Sequence, residues 1–193
     1  MVFFVIVAFV CLSLLGCTSP ANNPAQNNTT TVAPTNNAPQ NNALTHTNSD
    51  LGYTISYPSD LNIAVYGPGD VEFTSKELST KYPSLNPPAY IIRLGIYRII
   101  QDPDWLVKMQ RGAVANVCPG YTETKKDFTN VSGTVFECQN YPGGGYDRSF
   151  VFTDIDTNKT GMLELTTTES KEDIITKANE NLDFMLNGLT LAK

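Results

Sequence analysis

Few residues of this chain are equipped for acid–base or metal chemistry, and their scarcity bounds what it can do. Histidine occurs once, as His46, inside a stretch of Asn, Thr and Ala. With no imidazole in the body of the chain, Ser-His-Asp and Cys-His catalysis lack their base, and a structural zinc centre lacks nitrogen and sulfur ligands. A Ser-Lys arrangement or a carboxylate pair stays formally open, but no spacing points to either, so no catalytic residue is assigned and no cofactor is expected. The run with the most metal-ligand character is Asp154-Ile155-Asp156-Thr157-Asn158, whose oxygens alternate as at the start of a calcium loop, with Thr160 and Glu164 beyond it. Lys159 stands where such a loop needs Gly and Leu165 where it needs a bidentate Glu, so the run fits a polar hairpin turn better. Asp154, Asp156 and Asn158 are therefore carried only as an alternative, a cation site. Gly143-Gly144-Gly145 lacks the Lys and Ser/Thr that follow a phosphate loop and reads as a flexible hairpin. Tyr66, Tyr82, Tyr121, Tyr141 and Tyr146 flank loops, where tyrosine serves as binding surface or, more commonly, as strand-edge core. Asn27, Asn28, Asn130 and Asn158 each open an N-x-[ST] sequon, which matters only in a host that glycosylates exported proteins.

The chain begins with an almost unbroken apolar run, Met1 to Gly16, interrupted only by Ser13. It is short for a bilayer-spanning helix, which needs roughly 20 residues, and reads as the apolar region of a signal peptide. Leu14-Leu15-Gly16-Cys17 follows and resembles a lipoprotein signal, in which a small residue precedes a Cys whose thiol is acylated before cleavage. The resemblance implies residues 1–16 as signal peptide and Cys17 as the acylated first residue of the mature chain, lipid-anchored on the extracytoplasmic face of the cell membrane. An uncleaved signal anchor, or secretion after cleavage elsewhere, is the alternative. Removal of the leader discards Cys11 and leaves Cys118 and Cys138 in the body of the chain. An even pair in an exported protein is most simply a disulfide, contributing on the order of 3 kcal/mol; two buried thiols are the other reading.

Charge divides the chain further. Of 193 residues, 13 are Lys or Arg and 19 Asp or Glu, and every one lies at Asp50 or later. The acidic balance, with a net charge of −6, argues against a nucleic-acid footprint. Residues 17–49 are mostly Asn, Thr, Ala, Pro and Gln, with Val32 and Leu44 as the larger aliphatic side chains. Such a segment cannot bury enough apolar area to offset the entropy of ordering it, and it is expected to be a disordered tether with a reach of roughly 30 Å. The expected folded domain is 50–193.

Within that domain the punctuation is that of short strands. Tyr53 to Tyr57 alternates and stops at Pro58, and Asn62 to Tyr66 and Val71 to Ser75 flank a Gly67-Pro68-Gly69-Asp70 turn. Tyr90 to Ile100 is the longest β-branched stretch and predicts a central strand, with Ile92, Leu94 and Ile96 on one face and Ile91, Tyr97 and Ile99 on the other. A first helix is predicted from Asp102 as N-cap and Pro103, with Trp105, Leu106, Met109, Ala113 and Val117 as its apolar stripe and Pro119-Gly120 as its stop. A second is predicted from a Ser170–Asp173 capping box, with Ile174, Ile175, Ala178, Leu182, Met185 and Leu186 as stripe, Gly188 as the residue past its end, and Glu169, Glu172, Asp173, Glu180 and Asp183 as its solvated face. Between them lie predicted strands at 121–129, 134–140, 146–153 and 161–168. Meandering strands with helices between and after them predict an α+β domain, an antiparallel β-sheet flanked by helices.

Tyr53-Thr54-Ile55-Ser56-Tyr57-Pro58-Ser59, the short strand Val71-Glu72-Phe73 and the closing Phe184-Met185-Leu186-Asn187-Gly188-Leu189 resemble the PsbP-like family, to which many small bacterial and archaeal lipoproteins are also similar. The resemblance implies an α/β/α sandwich. The family's namesake supports the oxygen-evolving centre of photosystem II, but none of its metal- or partner-binding residues can be carried onto a matching position here. The expectation is a membrane-anchored lipoprotein whose non-enzymatic domain binds or supports a protein partner at the envelope. The alternative is a small-molecule or divalent-cation (Ca²⁺ or Mn²⁺) binding lipoprotein and, behind that, an exported enzyme.

Overall fold

The structure is a computed structural model that describes residues 42–99, 102–141 and 145–193. The expected signal peptide, Cys17 and the tether up to residue 41 lie outside the described residues.

The folded part starts before Asp50. Strand β1 (Ala43–Asn48) pairs antiparallel with β2 (Tyr53–Pro58), His46 opposite Ile55 and Thr47 opposite Thr54. Residues 43–48 thus belong to the domain and not to the tether, and His46 is a buried residue of a strand. Composition hides this because β1 is held by its partner: a backbone ladder, Leu44 against the core, and the His46 ring 5.9 Å from that of Tyr53. Its signals are alternating threonines, which suit strands, and the Asn48-Ser49-Asp50-Leu51-Gly52 turn, where the Asn48 side chain accepts from the Leu51 amide and Gly52 takes a φ of 60°. The short β10 (Thr190–Leu191) pairs on the other side of β2 to complete a three-stranded sheet.

A seven-stranded antiparallel sheet forms the middle of the domain. Its strands are β3 (Leu61–Gly67), β4 (Asp70–Ser75), β5 (Tyr90–Arg98), β6 (Thr122–Asp127), β7 (Ser132–Tyr141), β8 (Gly145–Asp154) and β9 (Lys159–Thr167), in the order β3-β4-β5-β9-β8-β7-β6. The predicted strands are all present, with β9 rather than β5 at the centre. Period-two alternation sends Val71 and Phe73, Ile92 and Leu94, Leu163 and Leu165, and Phe150 and Phe152 to one face, fully buried. Against that face pack helix α2 (Glu172–Asn187), through Ile174, Ala178, Leu182, Met185 and Leu186, and strand β2, through Tyr53, Ile55 and Tyr57. The predicted stripe of α2 is the one it buries. Each buried Val, Leu, Ile, Phe or Met of this core stabilises by about 1.5–3 kcal/mol.

Helix α1 (Trp105–Val117) packs on the opposite face against β7 and β8, where Leu106, Val114, Cys118, Phe136, Cys138 and Val151 make a second, smaller cluster. Cys118 and Cys138 are joined by the predicted disulfide, which ties the end of α1 to β7. Helices on both faces of the sheet give the predicted α/β/α layering.

The helix ends differ from the sequence expectation. Helix α1 begins with Asp104 at the N-cap position and no side-chain cap; the Asp102 carboxylate instead accepts from the Asp104 amide at 2.9 Å and pairs with Lys108 Nζ at 2.8 Å. Its buried face is Leu106, Gln110 and Val114, and Met109 and Val117 point to solvent, because the four-residue spacing aims a polar Gln inward where Ser149 satisfies it. Helix α2 begins after Lys171 with no capping bond from Ser170. Gly188 closes it in a right-handed conformation, φ −91°, and glycine serves there because a Cβ would lie 2.7 Å from that of Ser56. Glu169 lies before the helix and is buried, not solvated. Its carboxylate accepts from the Ser79 hydroxyl and from the Lys81 amide at 2.8 Å, which pins the 79–81 loop and holds its pKa below the ordinary carboxylate range.

Candidate functional site: the half-covered face of the large sheet

Because α1 sits over β7 and β8, the same face of the sheet is left open towards β5, where the Arg93 side chain is 54% and Tyr97 44% exposed. Strand register assembles the floor. One row across the strands runs Glu72, Arg93, Glu164, Ser149, and the next runs Thr74, Ile91, Thr166, Asp147. Gly95 lies between Arg93 and Tyr97, and its missing side chain matters: a Cβ there would meet the Tyr97 ring, which folds back across the strand. The same ring stands edge-on to Trp105 at 6.0 Å, so the first turn of α1 forms one wall.

The electrostatics of the floor are uneven. Arg93 Nε pairs with Glu72 Oε2 at 3.0 Å at the open side. Deeper in, Asp147 is 4% exposed and its carboxylate accepts one hydrogen bond, from the Thr166 hydroxyl at 3.0 Å. Burial, and then the charge of Glu164, push its pKa up to about 7, and the Thr166 bond only partly offsets them. Burial also raises Glu164, against the pull of Arg93. The two carboxyls are diagonal neighbours on adjacent strands, a relation that places side chains within reach of each other. Near neutral pH such a pair holds a proton, and its half-buried member Glu164, opposite Arg93, is the acceptor nearer the open side.

The residues singled out from sequence fall elsewhere. Asp154 to Asn158 form the β8–β9 turn: Asp154 Oδ1 accepts from the Asp156 amide at 3.0 Å and the Thr157 amide at 3.2 Å, and Asn158 adopts φ 55°. This is the polar hairpin, and Asp154's carboxylate is engaged by the turn itself. Asp154 and Asp156 border an open cleft of about 440 Å³ with Asn130, Ser132 and Phe152. Among the described residues no three His, Cys, Asp or Glu side chains gather as metal ligands would. Tyr66 and Tyr82 are exposed, Tyr121 is half-buried against Phe136, and Tyr146 is buried with its hydroxyl donating to Asn179. The side chain of Tyr141, with Gly143 and Gly144, lies outside the described residues. Asp183 is not merely solvated: it pairs with Lys126 and with Arg148, each at 3.0 Å.

Sequence reasoning missed Asp147, met Glu164 only as a position beyond the Asp154–Asn158 run, and missed Gln110. The signal was available for the first two. In Ser149-Phe150-Val151-Phe152 and Met162-Leu163-Glu164-Leu165 the core residues alternate, so the acids belong to the opposite face. That β8 and β9 are neighbours, which brings the acids together, is a tertiary fact.

No protein-family model matches the sequence, and no curated protein matches it significantly. Among solved structures the chain is similar to the Saccharomyces cerevisiae Ran-binding protein Mog1p, at 9% identity and a TM-score of 0.51 over 79% of this chain and 96% of that one. A Mog1 mutant gives 9% identity and a TM-score of 0.50. LpqN, involved in cell envelope biogenesis of Mycobacterium tuberculosis, gives 13% identity and a TM-score of 0.49 over 75% of this chain and 87% of that one. At such identities the likeness is one of fold, and the mostly antiparallel sheet with its two helices is the Mog1/PsbP-like α+β fold.

Proposed function

We propose that the protein is an exported lipoprotein, anchored through Cys17 and a tether ending near residue 41, whose domain is a non-enzymatic binding module that engages a protein partner of the envelope through the half-covered sheet face. One observation carries the binding surface: a carboxyl, Asp147, is desolvated beside a second one, Glu164, in a position where an apolar side chain would serve folding better. Asp147 lies beneath the face and its half-buried neighbour Glu164 at it, and polar groups kept there against stability fit a role in recognition. The disulfide supports an oxidising compartment, and Mog1p, of the same fold, is by its name a binder of another protein. The anchor and tether would raise the domain's concentration near membrane partners without fixing its orientation.

The test is site-specific photo-crosslinking in intact cells. A photoreactive residue at Arg93 or Tyr97 of the full chain is expected to give one discrete adduct, which a control at Thr124 on the far edge does not give. No adduct from 93 and 97, or the same adducts from all three positions, refutes the face as the binding surface. The intact mass of the membrane-extracted chain checks the anchor separately, since an unmodified species retaining Met1 alone excludes it.

A further inference from the structure

The two edges of the seven-stranded sheet differ in a way that bears on assembly. Edge strand β6 reads Thr122-Glu123-Thr124-Lys125-Lys126-Asp127, charged at four positions, which is how exposed edges are kept from pairing with other chains. Edge strand β3 reads Leu61-Asn62-Ile63-Ala64-Val65-Tyr66-Gly67, with no charge and no proline. One side of β3 pairs with β4; among the described residues no strand pairs with the other. Its register puts Ile63 opposite Phe73 and Val65 opposite Val71, on the apolar face of the sheet, yet Ile63 is 37% and Val65 45% exposed, and Tyr66 beside them 67%. The core surface therefore runs past its cover at this edge.

We propose that a second copy of this chain occupies the β3 edge, β3 against β3 antiparallel about a twofold axis, joining the two large sheets into one. The strand is self-complementary. With Ile63 opposite its own mate, Leu61 faces Val65 and Asn62 faces Ala64, so apolar side chains meet on the core face and small uncharged ones on the other. Asp60 then falls opposite Tyr66 and not opposite another acid. Charge selects the same edge: a chain with net charge −6 repels its copies over most of its surface, and this strand brings no like charges together. The irregularity between Val65 and Gly67 limits the ladder to Leu61–Val65, a short contact suited to copies that share a surface.

Cysteine crosslinking of the full chain in its native membranes tests this. Ile63→Cys, opposite its own mate, is expected to form a covalent homodimer under mild oxidation at least tenfold faster than Thr124→Cys, with the 63–63 linkage found in the peptide masses. Val65→Lys, at a part-exposed position where circular dichroism can verify the fold, is expected to remove that advantage. Equal rates at 63 and 124, a rate unmoved by Val65→Lys in a folded chain, or Ile63→Cys trapped only with a different protein, overturns the proposal. These outcomes are independent of the adducts sought at Arg93 and Tyr97.

Discussion

Asp147 should make this protein lose stability as the pH rises, and replacing it with Asn should remove that loss. The carboxyl has a pKa of about 7 in the folded state and 3.8 as its ordinary value. Between those values the native state holds a proton that the unfolded chain has released, so stability at this position is full below about pH 4 and is lost as pH climbs through 7. Each unit of difference corresponds to about 1.4 kcal/mol, and some three units give roughly 4 kcal/mol at pH 8. Asp147→Asn keeps an oxygen that can accept from Thr166 and cannot ionise. The variant is expected to match the parent near pH 4 and to exceed it by up to roughly 4 kcal/mol at pH 8. Urea unfolding at pH 4, 6 and 8 measures the difference, and comparing variant with parent cancels the titrating groups other than Glu164, whose coupling to Asp147 is part of the effect measured. A gap that does not widen with pH refutes the reasoning, as does a carboxyl that titrates near 4 by NMR. On the proposed reading of this face as a binding surface, the same variant should also give a weaker crosslinked adduct from Arg93, since stability gained by removing a recognition group is gained at the expense of the site.

Two further perturbations probe the parts that hold the site. Replacing Cys118 and Cys138 by Ser should lower unfolding free energy by about 3 kcal/mol, read as a drop in the urea midpoint, while labelling of the unreduced, denatured parent should find no thiol at either position; an unchanged midpoint or two labelled thiols contradicts the bridge. Glu169→Ala should release the 79–81 loop, seen as faster hydrogen exchange at the Lys81 amide that the carboxylate now holds; because the Glu169 pKa is depressed, the parent's own stability from this contact should be present above pH 4.5 and fall away as the pH drops through the folded-state pKa. Unaltered exchange at Lys81 refutes that anchor.

Alternation made most of the sheet legible. The residues Ile92, Leu94 and Ile96 and the stripe of α2 announce their buried faces because a strand or helix with one apolar side has one stable way to sit. Strand β1 has almost no hydrophobic signal, as its order comes from the ladder with β2 and from the His46–Tyr53 contact. Helix α1 lies where its spacing predicts but is rotated about its axis, because its inward face contains Gln110 and hydrophobicity alone prefers Met109. Glu169 looked like part of a solvated helix face; its partners Ser79 and Lys81 lie some ninety residues earlier. The Asp154–Asn158 turn could be read locally and was, whereas the Asp147–Glu164 pair needs the strand order.

The placement of the disulfide follows from the unequal cover of the sheet. Helix α2 buries Ile174, Ala178, Leu182, Met185 and Leu186 against a deep core, and its one inward amide, Asn181, is spent on the buried Tyr90 hydroxyl at 2.6 Å. Helix α1 fully buries only Leu106 and Val114 around the polar Gln110, with Trp105 and Val107 partly buried beside them, a smaller apolar contact than that of α2. The Cys118–Cys138 bond stands at the end of this weaker helix and fixes it to β7. Trp105 at the other end of α1 is the wall against which Tyr97 packs, so loosening α1 would loosen the border of the half-covered face. Reduction should therefore raise hydrogen exchange along α1 well before it does along α2, and should weaken partner capture at Arg93 while the main core still melts as one unit. If α1 and α2 lose protection together on reduction, the bond supports the whole fold equally and the face owes it nothing in particular.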